Sequence, residues 1–300
     1  MSFVGRALSF TFTINSRLKG GTSTITIPAG LMASARVGFA GLPSAARMEL
    51  TIWGLTNDIM NQLNTMGMVY KDLPINSVTL VASDADGTNP SVVFIGEITD
   101  ARPELSRQPE APIYIQAYST AGMAVVRALP VSYTNESDIV EIVRSLASLA
   151  GKHFENNGVT GVLLANQYLW GTPLDQLKTV AKAVKDRGVI IDVVNDTVVM
   201  YYTKVGRGSI IPLIGPSSGL IGYPTYSVQG IDFRCIYNPN LSIGGQVQVE
   251  STSDLKQTSG LFNIYGLSHD LDAQIPGGKW ESLVNTYRPG TPTPPLPPAR

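Results

Sequence analysis

The alternation of hydrophobic and polar residues predicts that the first 130 residues are mostly β-strands. Short runs such as SFTFTI, RMELTIWG, SVTLVAS and PIYIQAYS place β-branched or aromatic residues at about every second position, and Gly or Pro separates the runs. Many short strands at this spacing are typical of a barrel or a sandwich. One helix interrupts them near residues 56–66, because Thr56 is a candidate N-cap, Ile59, Leu63 and Met66 share a face, and Gly67 is a candidate end.

From about Tyr133 to Lys204 the period changes to that of helices, which predicts a compact α+β module. Each of two helices has a capping residue at its start and a glycine at its end. The predicted boundaries are Asn135 or Ser137 to Gly151 for the first helix, and Thr172, followed by Pro173 and Asp175, to Gly188 for the second. Asn195-Asp196 lies between two β-branched runs and predicts a two-residue turn.

From Val205 the pattern returns to strands with many Gly and Pro residues. The segment Ile231–Ser251, IDFRCIYNPNLSIGGQVQVES, predicts a β-hairpin in which Asn238-Pro239 turns the chain. Gly244-Gly245 would permit a bulge or the close approach of a neighbour. GLFNIYGLSHDLD and KWESLVNTY are the last predicted strand pair.

The predicted fold is therefore mainly β with an α+β insertion: two barrel-like β domains flank a small α+β module. We expect the first β domain at residues 1–132, the module at 133–204 and the second β domain at 205–290. Residues 291–300, TPTPPLPPAR, are a Pro-rich tail that we expect to lie extended as polyproline II.

Charge is sparse and balanced, which changes the expected class of partner. Charged residues are 15% of the chain, and 22 Lys and Arg against 23 Asp and Glu leave a net charge of -1. No strongly basic face for nucleic acid is expected, and little charge is available to cover a monomer's surface. Buried subunit interfaces are therefore expected. The single cysteine agrees with a reducing compartment, and the absence of an apolar stretch of about 20 residues predicts a soluble chain with no membrane insertion, made in a cytoplasm.

One candidate for catalysis is the G-x-S-x-G pattern at Gly215–Gly219, which contains Ser217 and Ser218. A nucleophile elbow needs a helix after its serine. Glycine and proline follow in Leu-Ile-Gly-Tyr-Pro, so a loop is favoured. His269 has Asp270 and Asp272 nearby in sequence, but neighbouring strand residues point to opposite faces. A hydrolase that uses Ser217 or Ser218 with His269 is the alternative function.

Metal and thiol chemistry also have weak signals. Asp84, Asp86 and Asn89 resemble part of a calcium loop, but Ile95 occupies the position of the bidentate glutamate, so a plain loop is favoured. Cys235 shares a strand face with Ile231 and Phe233, which predicts a buried, inert thiol. We expect no metal, no cofactor and no catalytic residue.

The three tryptophans are expected in core or interface packing. Trp53 and Trp280 lie in or beside predicted strands, and Trp170 precedes the Thr172 cap, where it is expected to staple the helix onto the module. A carbohydrate-binding tail module, a further alternative, would need exposed aromatic side chains grouped on one face. The candidate interface or wall residues are Trp53, Asn238, Pro239, Gly244, Gly245 and Trp280.

Five segments in this order resemble baseplate hub proteins of contractile-tailed bacteriophages. They are MELTIWGLTNDIMNQL, SVTLVASDADGTNPSVVFIGEITDA, WGTPLDQLKTVAKAVKDRGVIIDVVNDTVVMY, GLIGYPTYSVQGIDFRCIYNPNLSIGGQVQVES and GLFNIYGLSHDLDAQIPGGKWES. Related modules occur in the spike proteins of type VI secretion systems and in contractile bacteriocins. The resemblance covers nearly the whole chain to about Pro289.

The resemblance implies a structural protein of the virion, placed in the tail baseplate and assembled in the host cytoplasm, with no enzymatic activity. It implies a homotrimer whose paired barrel domains form a pseudo-sixfold ring beneath the hexameric tail tube. Its implied partners are the tail tube protein, the trimeric central spike and other baseplate proteins. DNA would pass through the lumen without specific binding.

Overall fold

The computed structural model describes residues 5–16, 21–65, 76–107, 110–208, 210–251 and 258–290 as a mainly β protein. The chain divides into two compact units. Unit 1 comprises residues 1–38, 47–121 and 269–281, and unit 2 comprises residues 39–46, 122–268 and 282–300. Each unit contains part of a large antiparallel sheet, so the prediction of a mainly β chain with an α+β portion is confirmed.

The elements are numbered here in chain order. The strands are β1 Arg6–Ser16, β2 Gly21–Ile27, β3 Ala33–Ala40, β4 Arg47–Ile52, β5 Ser77–Asp84, β6 Ser91–Pro103, β7 Ile113–Tyr118, β8 Val131–Asp138, β9 His153–Asn157, β10 Leu163–Leu169, β11 Val189–Val194, β12 Thr197–Tyr202, β13 Leu213–Ile214, β14 Leu220–Tyr226, β15 Ile231–Ile236, β16 Gln246–Val249, β17 Gly260–Ala273 and β18 Trp280–Tyr287. The helices are α1 Asn57–Leu63, α2 Ala121–Val125, α3 Ile139–Leu149 and α4 Pro173–Val184.

The sheet of unit 1 follows directly from the alternating pattern. Its order is β17-β3-β4-β7-β6-β5-β1-β2, with the His269–Ala273 part of β17 at one side. In β4 the residues Met48, Leu50 and Ile52 are buried while the residues between them are partly exposed. Every second side chain of the central strands therefore enters one core.

Helix α1 begins where the sequence predicts. The Thr56 hydroxyl accepts a hydrogen bond from the backbone N–H of Ile59, and Met60 and Leu63 are buried. The predicted continuation of this helix to Met66 and Gly67 is wrong, because α1 ends at Leu63 with Asn64 as its C-cap. Met66 and Gly67 themselves lie outside the described residues.

In unit 2, α3 and α4 pack on a three-stranded sheet ordered β11-β12-β9 and on the two-stranded ribbon β8–β10. Their buried side chains form one hydrophobic core, which includes Ile142, Leu146, Leu177, Val180 and Met200. The turn predicted at Asn195-Asp196 is confirmed, because β11 and β12 pair up to Val194 and Thr197, and Asn195 has a φ of +54°.

The boundaries of α3 and α4 agree with the sequence except at the start of α3. Thr172 caps α4, and Gly188, with a φ of +71°, follows a single 3₁₀ turn at Lys185–Arg187. The cap predicted at Asn135 or Ser137 is wrong, since Asp138 caps α3 by accepting a hydrogen bond from Val140 N. Residues 136–138 still pair with β10, which delays the start of the helix.

The remaining strands of unit 2 have the order β14-β15-β18-β17-β16-β13. The final strand pair, β17 and β18, is confirmed. The hairpin predicted for Ile231–Ser251 is wrong: β15 pairs with β14 and β18, whereas β16 pairs with β13 and β17. Two strands form in this segment as predicted, but other strands lie between them.

Pairing among the described residues leaves edge strands in the large sheet, at β2 in unit 1 and at β14 and β13 in unit 2. In the same part of the chain, none of the helices combines the length and the apolar character that crossing a membrane requires.

Candidate functional site

Trp53 lies between two surface cavities of unit 1. Its backbone N–H donates to Met32 O at 3.0 Å, which fixes the chain just after β4. One cavity, of about 360 Å³, is lined by outward-facing side chains of β3, β4, β6 and β7, among them Ser34, Arg36, Glu49, Asp100, Arg102 and Tyr114. The other cavity, of about 560 Å³, is more apolar and is lined by Leu31, Met32, Leu55, Met60, Glu110 and Ala111. Trp53 therefore joins an apolar surface to one of mixed charge.

Trp280 is in a different environment, because only 9% of it is exposed. The guanidinium of Arg6 lies 5.7 Å from the centre of its ring, within the range of a cation–π interaction. Trp280 thus helps to hold unit 1 together from the inside.

Asn238 and Pro239 lie where the chain turns after β15. The Asn238 side-chain oxygen accepts a hydrogen bond from Asn240 N at 3.0 Å, and its carbonyl accepts one from Leu241 N at 3.2 Å. Pro239 is exposed. The side chain of Asn238 stabilises this turn, as is common for asparagine.

Gly244 and Gly245 are buried, and the close approach expected at this pair is made by a side chain of the same chain. Gly244 has a φ of +76°, and a Cβ there would lie 2.4 Å from Cζ of Tyr201. Only glycine leaves room for the tyrosine ring at this backbone. The carbonyl of Gly244 also accepts a hydrogen bond from Arg207 N at 2.6 Å.

Arg207 connects this glycine to the α+β part of unit 2. Its Nε and Nη2 atoms each donate to the carboxylate of Glu155 at 2.9 Å, which is a bidentate ion pair. The hydrogen bond from Arg207 lowers the pKa of Glu155, and a second bond from Asn157 acts in the same direction. We call Glu155, Tyr201, Arg207 and Gly244 the Gly244 cluster.

A second set of hydrogen bonds lies beside the Gly244 cluster. The carbonyl of Thr203 accepts hydrogen bonds from Asn263 Nδ2 at 2.9 Å and from the Tyr287 hydroxyl at 3.0 Å. Asn263 is fully buried, and its side-chain oxygen accepts from Gln246 Nε2 at 2.9 Å. These hydrogen bonds connect the loop after β12 to β16, β17 and β18. Such a buried network makes this part of unit 2 rigid.

Asp192 is a buried carboxyl group that sequence reasoning missed. It is 2% exposed, and its Oδ1 accepts from Leu42 N at 3.2 Å and from Val193 N at 2.8 Å. Burial raises its pKa to about 7, although these two hydrogen bonds act in the opposite direction. Its sequence context, IIDVV, gives the only signal: one acidic residue inside an apolar strand.

The candidate nucleophile has a local structural role. The Ser218 hydroxyl accepts a hydrogen bond from Gly215 N at 2.7 Å, within the turn formed by Gly215–Gly219. Strand β14 begins at Leu220, directly after this turn, so the helix of a nucleophile elbow is replaced by a strand.

His269 is 4% exposed, and burial lowers its pKa to about 4. It lies in unit 1, while Ser218 belongs to unit 2. Its sequence neighbour Asp270 instead forms an ion pair with Lys279 at 3.5 Å. A neutral, buried imidazole of this kind is a structural residue.

The predicted burial of Cys235 is confirmed. Cys235 is fully buried, and burial raises the pKa of its thiol to about 12. In the Asp84–Asn89 loop, the carboxylates accept bonds from neighbours: Asp86 from the Thr88 hydroxyl at 2.7 Å, and Asp84 from Asn89 Nδ2 at 2.8 Å. The acidic side chains thus stabilise the loop itself.

The prediction that Trp170 staples α4 onto the module is wrong. Its side chain is 69% exposed, and that of Tyr168 is 62% exposed. Leu169, between them, is buried, so the two aromatic rings lie on one outward face of the ribbon. The alternation of these two aromatic residues around Leu169 is visible in the sequence QYLWG. Which side of the strand faces solvent becomes clear only from its pairing with β8.

The comparisons with known proteins are consistent with this structural role. A family model described as Baseplate hub gp41 matches residues 7–274. No curated protein sequence gives a significant match.

Solved structures show the same fold at low sequence identity. A tail protein from Neisseria meningitidis MC58 aligns with a TM-score of 0.61 and 10% identity, over 95% of this chain and 97% of its own. The 43 kDa tail protein of prophage MuSo2 from Shewanella oneidensis aligns at 0.58 and 10%, over 95% and 97%. The E. coli c3393 protein, a type VI secretion component described as similar to T4 tail proteins gp27 and gp5, aligns at 0.59 and 14%, over 88% and 75%.

Proposed function

The chain belongs to the baseplate hub gp41 family, and we propose that three copies of it form a pseudo-sixfold adaptor between the hexameric tail tube and the trimeric central spike of a contractile phage tail. The family consists of structural proteins of the bacteriophage tail baseplate and not of enzymes. The adaptor converts sixfold into threefold symmetry and transmits force. Family membership is the observation that carries this proposal.

The presence of sheet in both units supports the proposed symmetry. Three chains with two β domains each supply six similar parts, which can face six tube subunits. We propose that these parts are barrel-like domains at residues 1–132 and 205–290, with the module at 133–204 between them; residues 39–46 of the first range belong to unit 2, and residues 269–281 of the second range belong to unit 1. The separate hydrophobic core around α3 and α4 supports the assignment of the module.

The open edges support assembly into a ring. Strands β2 and β14 each have one unpaired side within the described residues, and exposed strand edges favour pairing with another chain. Sparse charge, at 15% of residues, also suits large permanent interfaces. The tail tube, the spike and other baseplate proteins are the proposed partners, and DNA would pass through the lumen without specific binding.

Of the six candidate residues, Trp53 is the one we propose to contact a neighbouring baseplate protein. It joins two cavities at the surface, whereas Trp280, Gly244 and Gly245 are buried and would shape the domain walls. The Asn238-Pro239 turn would shape a loop beside such a wall. Replacing Trp53 with alanine should weaken assembly with tube or spike by about tenfold or more, as for aromatic anchors at other interfaces.

Light scattering tests the adaptor. The solution mass is measured for the protein alone and with the trimeric spike and the tube protein of the same genome. Three chains per particle, or three chains per spike, is the expected result. A mass that corresponds to a monomer, unchanged when the spike or the tube protein is added, would contradict the proposal. Tyr168→Ala, which removes an exposed aromatic side chain away from both open edges, is the control for Trp53→Ala and should leave assembly unchanged.

A further inference from the structure

The ribbon of unit 2 presents two aromatic side chains that nothing in the proposed adaptor uses. Tyr168 of β10 and Trp170 just after it are exposed, and Leu169 between them packs into the core. On the opposite strand, Ser132 pairs with Tyr168 and Val131 pairs with Leu169. Continuing this register places Pro130 opposite Trp170. We call Pro130, Ser132, Tyr168 and Trp170 the ribbon face.

Gln176 fixes the end of the ribbon that carries this face. Its side chain is fully buried, and its Nε2 group lies 3.4 Å from the carbonyl of Leu129 and 3.3 Å from that of Gly171. These two residues flank Pro130 and Trp170 in the sequence. The buried amide holds the two chain segments together, so the ribbon face is pre-shaped, which lowers the entropic cost of binding.

The polar groups of the two rings are available. In the described part of the chain, neither the indole N–H of Trp170 nor the hydroxyl of Tyr168 makes a hydrogen bond. The face thus combines two flat apolar surfaces with two free donors. Polyproline II is the peptide conformation that this combination suits, because its prolines pack on aromatic rings and its carbonyls have no partners of their own.

The spacing of the rings fits the same conformation. Residues two apart on a strand are separated by about 6.6 to 6.8 Å. In polyproline II, residues two apart are separated by about 6.2 Å. Because polyproline II has three residues per turn, residues two apart lie on neighbouring edges of the helix, and the face between these edges would present both prolines of a Pro-x-Pro sequence to the two rings.

This chain contains such a sequence. Residues 291–300, TPTPPLPPAR, have five prolines, and Pro-x-Pro occurs as Pro292-Thr-Pro294 and as Pro295-Leu-Pro297. The segment follows Gly290 of unit 2, the unit that contains the ribbon. We propose that the ribbon face is a docking site for a polyproline segment, and that its occupant is residues 291–300 of the same chain.

Concentration favours this occupant. Residues 291–294 link Gly290 to the Pro295-Leu-Pro297 sequence and extend at most about 12 Å in polyproline II, so this sequence stays close to unit 2. A short tether gives an effective concentration of the order of millimolar, so even a weak site is filled by its own segment.

The test uses the full-length chain and a fluorescently labelled peptide with the sequence TPTPPLPPAR. In one variant, all five prolines of residues 291–300 are replaced by serine, which keeps the length and frees the face. Fluorescence anisotropy should show saturable binding of the peptide to this variant. Binding to the unmodified chain should be at least about tenfold weaker at every protein concentration, because the tethered segment competes.

Trp170→Ala in the serine variant should reduce peptide affinity by about tenfold or more, and Tyr168→Ala should act in the same direction. Tyr223→Ala, in β14, is the matched control and should leave affinity unchanged, since Tyr223 is equally exposed but lies on another strand. Absence of peptide binding to the serine variant would overturn the proposal, as would equal binding to both chains. Binding that survives Trp170→Ala would overturn the assignment to the ribbon face.

Discussion

At the scale of single residues, Gly244 shows how a loop glycine fixes the packing of unit 2. The ring of Tyr201 occupies the space where a Cβ would stand, and Arg207 N donates to the carbonyl of the same glycine. The positive φ and the close ring exclude other residues for two separate reasons: backbone strain and steric overlap. The two reasons can be measured separately.

Gly244→Ala should destabilise the protein by about 3 kcal/mol. Backbone strain at a positive φ costs about 1 kcal/mol or more, and the overlap with Tyr201 adds a cost typical of overpacking, about 1 to 3 kcal/mol. The free energy of unfolding in urea measures the change. Gly87→Ala is the matched control, because Gly87 has a φ of +80° and nothing lies within 4 Å of its Cβ position. Equal losses in the two variants would show that Tyr201 does not constrain Gly244.

Cys235 should be nearly inert in the native protein. Its thiol is buried, and its pKa of about 12 leaves little thiolate at neutral pH. Labelling by iodoacetamide at pH 8 should be at least about a thousandfold slower than in urea-unfolded chain, because access requires unfolding. Mass spectrometry follows the reaction, and a Ser148→Cys variant, with an exposed position, is the reactive control. Fast native labelling at Cys235 would contradict a buried position.

At the scale of elements, α4 has the best-defined start of the helices that the structure describes. Asp175 N donates to the Thr172 hydroxyl oxygen at 3.2 Å, and Thr172 N donates to the Asp175 carboxylate at 3.0 Å. The two residues form a complete capping box, and Pro173 occupies the first turn. The bonds from Thr172 lower the pKa of Asp175.

Thr172→Ala should lower the free energy of unfolding by about 1 kcal/mol, the usual cost of losing an N-cap. Thr179→Ala makes the same chemical change within the helix, where the Thr179 hydroxyl donates only to the Asp175 carbonyl of the preceding turn. Alanine has the higher helix propensity there, so this control should be neutral or slightly stabilising. Thermal unfolding followed by circular dichroism compares the two. A loss no larger for Thr172→Ala than for Thr179→Ala would contradict the capping role.

The elements that the sequence predicted correctly are those with local causes. The Thr56 and Thr172 caps, the Asn195-Asp196 turn and the ends at Gly151 and Gly188 all depend on residues a few positions apart. Contacts of this kind can be predicted from a short stretch of sequence.

The predictions that the structure contradicts depend on contacts between residues that are far apart in the sequence. Strands β15 and β16 follow each other in sequence, yet β17 and β18 separate them in the sheet, and no local pattern encodes that order. The cap of α3 was misplaced because pairing with β10, distant in sequence, extends β8 to Asp138. The exposure of Trp170 and the burial of Asp192 also depend on partners elsewhere in the chain.

At the scale of the whole molecule, two buried titratable groups make stability depend on pH in opposite directions. His269 belongs to unit 1 and Asp192 to unit 2. The pKa of His269 is lowered from 6.5 to about 4, so the unfolded chain binds the extra proton between these values, and stability rises with pH there. The pKa of Asp192 is raised from 3.8 to about 7, so the folded chain binds the extra proton, and stability falls as pH rises towards 7.

Between pH 4.5 and 6.5, the effects of His269 and Asp192 on the free energy of unfolding should largely cancel. A variant that lacks one of the two groups should show the pH dependence caused by the other. His269→Gln should leave a stability that falls with rising pH, and Asp192→Asn one that rises, each by up to about 1.4 kcal/mol per pH unit. Urea unfolding at several pH values measures both. If the units unfold in separate transitions, the two slopes should already be visible in the unmodified protein, one in each transition.

The slope is the useful readout because either substitution can also change stability at every pH. The side-chain amide introduced by Asp192→Asn keeps an oxygen that can accept from Leu42 N and Val193 N, so this substitution mainly removes the titration. Asp58→Asn, at an exposed position, should keep the unmodified slope. If His269→Gln and Asp192→Asn gave parallel pH profiles, the two buried groups would not govern the pH response. With opposite profiles, a mildly acidic pH would weaken unit 1 while it strengthens unit 2, because each carries one of the two groups.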